Sequence, residues 1–158
     1  MTADIAEDLF AYYDVILDGC DKFETRYLVN RIAVKLKKPL ISGGLSQWEG
    51  QLSVFDPACG TPCYECIFAT APNDGLAPSC AMAGVLGPLP GVVGAMMAVE
   101  AVKLVAQAGA SLRGEMLIYD ALYGESRKLK IKPRADCPVC GRTDLEETAS
   151  FLTTGPGN

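Results

Sequence analysis

Apolar and polar positions recur with two different periods along the first half of the chain. Residues 12–18 form a short apolar and β-branched run, which is typical of a buried strand. Residues 21–36 place apolar side chains near helical spacing, and Pro39 follows, which predicts a helix that ends before the proline. Residues 39–42 and 50–56 then predict two more strands. This order of elements indicates the α/β fold class.

The second half predicts a long helix followed by a hairpin. Residues 91–109 are almost wholly apolar at first and show helical spacing later, which predicts a largely buried helix. Residues 114–121 and 126–131 predict an antiparallel hairpin. Residues 59–78 are rich in Pro, Cys, Gly and Asn, so we expect an irregular loop ordered by a metal. Residues 1–141 are thus the predicted domain, and the polar tail, 142–158, is expected to be disordered.

Length and charge narrow the possible functions. The chain has 158 residues, 49% of them hydrophobic, which suffices for one domain with a sizeable core. The net charge of -5, without an acidic run, argues against a nucleic-acid partner. Pro88, Pro90 and several glycines interrupt the longest weakly polar run, and the first residues lack the pattern of a signal peptide. We therefore expect a cytoplasmic protein without a membrane segment.

The cysteines carry the clearest chemical signal. The sequence has seven cysteines and no histidine, which excludes a histidine general base and favours metal or thiol chemistry over disulfides. Cys63 and Cys66 form one C-x-x-C pair, and Cys137 and Cys140 form another. This spacing lets both thiolates of each pair reach one metal ion in tetrahedral geometry. The pattern predicts one closed, structural zinc site.

The two pairs are separated by 70 residues, far more than in a local zinc finger. A metal bound by both pairs would hold the end of the chain against its middle. The alternative is that each pair is a redox dithiol or incidental, although neither pair stands at the head of a helix after a strand.

Three further residues are candidates for chemistry. Cys80 lies in a stretch of small residues and is a candidate nucleophile or persulfide carrier, the alternative being a small buried hydrophobe. Asp18 and Asp21 lie at the carboxyl end of the first predicted strand, where open parallel sheets bind ligands. Their carboxylates are suitable for Mg²⁺ on a nucleotide triphosphate, and for Asp21 a helix N-cap is the simpler alternative.

Six blocks, in this order and spacing, resemble the ThiF/MoeB family of adenylyltransferases, relatives of ubiquitin-activating enzymes. The resemblance runs from about residue 4 to residue 141. The blocks are VILDGCDKFETRYLVN, KPLISGGLSQWEGQLSVFD, GTPCYECIF, PSCAMAGVLGPLPGVVGAMMAVEAVKL, LIYDAL and DCPVCG.

The resemblance implies a Rossmann-like domain that dimerises and uses Mg·ATP to adenylate the carboxy-terminal Gly-Gly carboxylate of a ubiquitin-like sulfur-carrier protein. Sulfur transfer then serves molybdopterin or thiamine biosynthesis. By the same resemblance, Asp21 works with Mg·ATP, Arg26 and Asn30 support the nucleotide side, and Cys80 joins the carrier protein in some members. The four paired cysteines match the zinc site of the family.

The chain departs from the family pattern in three ways. It corresponds to the carboxy-terminal half of the family domain, and it contains no glycine-rich nucleotide loop. Lys22 stands where the family usually has Asn, and Met82 stands where Glu is common. We therefore expect activity only within a complete enzyme, as a homodimer or with a chain that supplies the other half. The alternative function is a catalytically inactive, zinc-stabilised module that binds a sulfur-carrier protein or a family partner.

Overall fold

The computed structural model describes residues 3–71 and 84–141 of the chain. Helices and strands are interspersed along these residues. In chain order they are α1 (Ala3–Ala11), β1 (Ile16–Asp18), α2 (Phe23–Lys35), β2 (Leu40–Ser46), β3 (Glu49–Phe55), a 3-10 turn (Pro57–Cys59), α3 (Tyr64–Ile67), α4 (Leu89–Ala106), β4 (Glu115–Asp120) and β5 (Glu125–Lys130).

The five strands form a single sheet in the order β1-β2-β3-β4-β5. β1 and β2 are parallel and are joined by α2, whereas the other neighbouring strands are antiparallel. The β4–β5 turn is fixed by Asp120, whose Oδ1 accepts hydrogen bonds from the backbone N–H groups of Leu122 and Tyr123. The sheet is thus one βαβ unit extended by an antiparallel meander.

Helices cover both faces of the sheet. On one face, α1 and α2 pack on β1, β2 and β4 through a core that includes Phe10, Val29 and Ile32. On the other face, α4 packs on β2 and β3 through Leu89, Val93 and Met97. The molecule is therefore a three-layer α/β structure, with the polar end of β1 between the layers.

α4 lies very close to the sheet because two strand positions lack a side chain. A Cβ atom at Gly43 would lie 2.6 Å from the Met97 sulfur, and one at Gly50 would lie 2.5 Å from a Val93 methyl group. Glycine at these positions is therefore a packing requirement. Among the described residues, α4 is the one helix long and apolar enough to cross a membrane, a test that a core helix also passes. Its packing against β2 and β3 accounts for the apolar side chains on its inner side.

The structure confirms the α/β class, the helix predicted at residues 21–36 (α2) and the carboxy-terminal hairpin (β4 and β5). The sequence did not predict α1, and the first strand begins only at Ile16 because α1 and a turn occupy the preceding residues. The last helix ends at Ala106, where Gln107 adopts a left-handed conformation (φ 51°). That helix was expected to be largely buried, which is wrong, since only Leu89, Val93, Met97 and Glu100 are buried along it. The predicted disordered tail lies outside the described residues.

Candidate metal centre and the carboxyl end of the first strand

The four paired cysteines converge on one point. Their sulfur atoms all lie within 4.8 Å of one another, and three of the four residues are buried. Cys66 and Cys140 are 3.3 Å apart, Cys63 and Cys137 are 3.6 Å apart, and Cys63 and Cys66 are 3.8 Å apart, measured between Sγ atoms. Zinc–sulfur bonds of about 2.3 Å in a tetrahedron place the sulfurs about 3.8 Å apart. The donor set therefore fits a tetrahedral zinc ion.

The sulfur–sulfur distances between the two cysteine pairs argue against the alternative that each pair is a separate redox dithiol. Two contacts between the pairs, Cys66–Cys140 and Cys63–Cys137, are shorter than the 3.8 Å contact within the first pair. A redox dithiol would need its own two sulfurs to be the closest neighbours, at about 2 Å when oxidised. The arrangement is that of a four-sulfur cluster.

Tight backbone turns position both pairs. The Cys66 N–H donates to the Cys63 carbonyl, and the Gly141 N–H donates to the Cys137 carbonyl. A Cβ at Gly141 would lie 2.7 Å from three backbone atoms of Ala135 and Cys137, so only glycine closes the second turn. The Arg134 N–H also points at the Cys66 sulfur, 3.4 Å away. Such N–H groups stabilise a thiolate ligand.

The thiols affect one another's ionisation. Burial is the largest cause that raises the pKa of Cys63, and the hydrogen bond and negative charge of Cys140 raise it further. Burial and the Cys66 thiol raise the pKa of Cys140 to about 11. Burial also raises the pKa of Cys137, but backbone and thiol donors outweigh it, and the pKa lies below the usual value. Several thiolates are unfavourable together without a cation, and Zn²⁺ would supply the compensating charge.

A buried polar network fastens the first cysteine pair to α2. The Tyr64 N–H donates to Asn30 Oδ1 (2.9 Å), and Asn30 Nδ2 donates to Glu65 Oε1 (3.2 Å). Arg31 forms two hydrogen bonds to the Glu65 carboxylate, of 3.0 and 3.1 Å. Asn30 and Glu65 are almost fully buried, so this network is a specific clamp between α2 and α3.

The clamp was not anticipated from the sequence. Asn30 was expected on the nucleotide side, whereas its described hydrogen bonds are directed to α3. Glu65 is not among the residues predicted from the sequence. The feature that could have indicated it is an acidic residue between the two cysteines of an otherwise apolar C-x-x-C turn.

The other predicted polar residues meet at the carboxyl end of β1. Asp18 is only 2% exposed, and its Oδ1 accepts a hydrogen bond from the Cys20 N–H. Its Oδ2 is buried and has no hydrogen-bond partner among the described residues. Asp21 is exposed in the short loop that leads to α2. A buried carboxylate oxygen without a donor indicates that a cationic or hydrogen-donating group belongs at this edge.

Arg26 links this edge to the second strand. Its guanidinium is buried and donates to Ser42 Oγ (3.1 Å) and to the Gly43 carbonyl (2.7 Å). Burial raises the pKa of the neighbouring Tyr64 to about 12, with Arg26 opposing the shift. Arg26 thus fixes the distance between α2 and β2.

The other three cysteines are not part of the described cluster. Cys80 lies outside the described residues. Cys20 and Cys59 are exposed and do not belong to the cluster. Burial and the Asp18 carboxylate raise the pKa of Cys20, and a hydrogen bond to Asp56 raises the pKa of Cys59.

Comparison with known proteins gives a consistent result. The ThiF family model matches residues 1–139. The chain is 46% identical over 145 residues to a sulfur carrier protein adenylyltransferase of Thermus thermophilus, covering 89% of this chain and 54% of that protein. It is 42% identical to the adenylyltransferase and sulfurtransferase MOCS3 of Mus musculus, covering 96% of this chain and 34% of that protein. It is also 42% identical to the SAMP-activating enzyme E1 of Haloferax volcanii, with coverages of 88% and 51%.

The structural comparison agrees at the level of the fold. The crystal structure of MccB from E. coli superposes with a TM-score of 0.69 at 18% identity, covering 89% of this chain and 43% of that one. The chain spans between 34 and 54% of the length of the three curated relatives. By its family match and its identity to these relatives, the chain belongs to the ThiF family.

Proposed function

We propose that this chain contributes the carboxy-terminal half of an ATP-dependent adenylation site. In the complete enzyme, that site activates the carboxy-terminal Gly-Gly carboxylate of a ubiquitin-like sulfur-carrier protein. The observation that carries the proposal is the 46% identity to a sulfur carrier protein adenylyltransferase, together with the polar carboxyl end of β1. The sulfur pathway served is that of molybdopterin or thiamine, the site of action is the cytoplasm, and the assembly is a homodimer.

The chain's own residues have distinct tasks in this proposal. Asp18 and Asp21 present carboxylates where the parallel strands end, which is where nucleotides bind in such sheets. Mg²⁺, when bound there with ATP, would reduce the negative charge of the phosphates. Arg26 acts by positioning, since its donors are directed to Ser42 and Gly43. The zinc ion, held by the four paired cysteines, would stabilise the fold without an open coordination position.

Cys80 belongs to the later sulfur-transfer step in this proposal. Replacing it by Ser should leave adenylation unchanged and reduce sulfur transfer to the carrier.

A chimera gives the most informative test of the nucleotide role. In the Thermus relative, the segment that matches this chain is replaced by residues 1–141, so that the rest of that protein supplies what this chain does not cover. We expect ATP–pyrophosphate exchange in the presence of a carrier protein. Exchange should fall at least about 100-fold in Asp21→Ala, because the loss of one properly oriented charged group typically costs that much. Asp14→Ala, an exposed aspartate before β1, is the matched control and should retain exchange.

The alternative function makes a different forecast for the same chimera. A catalytically inactive module would bind the carrier protein but would not support exchange. A folded, zinc-containing chimera without exchange, or one in which Asp21→Ala has no effect, would therefore favour the module.

A further inference from the structure

The four cysteines of the cluster differ in their access to solvent. Cys63, Cys66 and Cys137 are buried, with 0, 5 and 1% of their surface exposed, whereas Cys140 is half-buried. Oxidation of a thiolate requires contact with the oxidant, so its rate depends on exposure as well as on ionisation. Within the described part of the chain, Cys140 is therefore the cluster sulfur that a small oxidant reaches first.

The sulfur atom nearest to Cys140 in the cluster contacts belongs to the other pair. Cys66 Sγ lies 3.3 Å from Cys140 Sγ. The Cys63–Cys137 and Cys63–Cys66 distances are longer, at 3.6 and 3.8 Å. A disulfide bond is about 2.0 Å long, so a small displacement of Cys66 and Cys140 brings their sulfurs to bonding distance. The Arg134 N–H, 3.4 Å from Cys66 Sγ, stabilises the thiolate that would attack.

We propose that the cluster is a peroxide-responsive zinc switch, in which oxidation joins Cys140 to Cys66 and releases the metal. These two residues supply two of the four sulfurs, so their disulfide leaves too few ligands for a closed tetrahedral site. Cys63 and Cys137 remain as thiols and can bind zinc again after reduction. The inference concerns the metal centre alone and holds whether or not the chain takes part in adenylation.

The reaction with hydrogen peroxide balances in two steps. The Cys140 thiolate attacks one peroxide oxygen, the O–O bond breaks, and a sulfenic acid forms while the leaving hydroxide takes up a proton. The Cys66 thiolate then attacks the Cys140 sulfur, the S–O bond breaks, the S–S bond forms, and the second hydroxide takes up a proton. In total, two thiolates lose two electrons and one peroxide becomes two water molecules. A dithiol reverses the disulfide by exchange and is itself oxidised.

The disulfide would take over the structural role of the ion. Cys66 and Cys140 are 74 residues apart, so a bond between them keeps the second cysteine turn attached to the middle of the chain. A cross-link over a long loop also stabilises the folded chain by restricting the unfolded one. A disulfide within either C-x-x-C pair would leave the two turns unconnected once the ion leaves. The oxidised chain should therefore stay folded and regain zinc on reduction.

Zinc release and disulfide mapping on the zinc-loaded, full-length chain test the proposal. The chain is treated with about 1 mM hydrogen peroxide, and a chromophoric chelator reports the zinc released beyond that of an untreated sample. Non-reducing peptide mapping by mass spectrometry identifies the disulfide. We expect one Cys66–Cys140 disulfide for each zinc ion released. Dithiothreitol with added zinc should restore the original zinc content, and circular dichroism should show a folded chain at each stage.

Two variants separate the cluster from the exposed thiols. Cys140→His keeps a ligand for zinc and removes the accessible sulfur, so release by peroxide should slow at least about 10-fold. The double variant with Cys20→Ser and Cys59→Ser is the matched control, because both thiols are exposed and outside the cluster. It should release zinc at the wild-type rate. If Cys140→His does not hold zinc, the disulfide map of the wild-type chain decides.

Four results would overturn the assignment. Zinc that stays bound while Cys20 and Cys59 are oxidised would show that the cluster does not respond to peroxide. A disulfide within either C-x-x-C pair, or release at the wild-type rate from zinc-loaded Cys140→His, would place the reaction at other sulfurs. Release that dithiothreitol and zinc do not reverse would show oxidative damage in place of a switch.

Discussion

At the level of single residues, Cys66 connects the two halves of the metal site. Its sulfur lies 3.3 Å from that of Cys140 and 3.8 Å from that of Cys63, and it accepts the Arg134 N–H. Loss of this side chain should therefore separate the carboxy-terminal turn from the middle of the chain.

Replacing Cys66 by Ala should remove zinc and destabilise the chain by about 3 kcal/mol or more, since the binding energy of a structural zinc ion contributes to folding. For a domain of this size, that corresponds to a fall of about 10 °C in Tm. Metal analysis and calorimetry measure the two effects. Cys59→Ser is the control, because Cys59 is exposed and outside the cluster. A Cys66→Ala chain with a full zinc content would contradict the four-cysteine assignment.

Zinc affinity should depend steeply on pH. The pKa of Cys63 is raised and that of Cys140 lies at about 11, so both thiols bind protons in the metal-free protein at neutral pH. Zinc must displace these protons, and its apparent affinity therefore rises with pH and falls as the solution becomes more acidic. Cys137, with a lowered pKa, releases its proton at a lower pH than the other two. Competition with a chromophoric chelator between pH 6 and about 8 measures the slope. An affinity independent of pH in this range would contradict thiolate ligation by these cysteines.

At the level of elements, the clamp between α2 and α3 connects the metal site to the edge that carries Asp21 and Arg26. α2 bears Asn30 and Arg31 on its later turns and Arg26 on its first turns. α3 bears Glu65 between the first two cysteines. The orientation of α2 on the sheet is therefore fixed at both ends, by Arg26 on β2 and by the clamp on α3.

Glu65→Ala should cost about 2 to 3 kcal/mol of folding free energy, because it leaves the buried Asn30 amide without its acceptor. It should also weaken zinc binding, since Cys63 and Cys66 lie on either side of it. Chemical denaturation and chelator competition measure these effects. Glu125→Ala, an exposed residue of β5, is the control and should change stability by less than about 0.5 kcal/mol. If Glu65→Ala matched that control in both measurements, the clamp would have no structural role.

The sequence predicted that the four paired cysteines lie together, and the structure confirms it. Each C-x-x-C pair was recognisable because its spacing is a local feature of the sequence. The α/β order was also predictable, since hydrophobic periodicity marks α2 and the hairpin clearly. The role of Asn30 was not predictable, because its partner Glu65 is 35 residues away and is brought near only by packing. The exposed face of α4 was misjudged for a similar reason. Its composition is apolar all round, and only the sheet shows which side is covered.

At the level of the whole molecule, the chain belongs to the ThiF family and has its own two-sided core. The cores on the two faces share the sheet, and the four-cysteine cluster adds a third core where residues 137–140 return to the middle of the chain. Such an arrangement allows the chain to fold around its own sheet. The carboxyl end of β1 nevertheless offers only some of the groups that an adenylation site needs, since no glycine-rich loop is present in the sequence.

The proposed substrate class is tested most directly by the carrier protein's own tail. ATP–pyrophosphate exchange is measured with the chimera described above, once with an intact Gly-Gly-ended carrier and once with the same carrier lacking its last two glycines. The account predicts exchange with the intact carrier and none above background with the truncated one. Exchange that is independent of the two glycines, or no exchange by a folded chimera that holds one zinc ion, would contradict it.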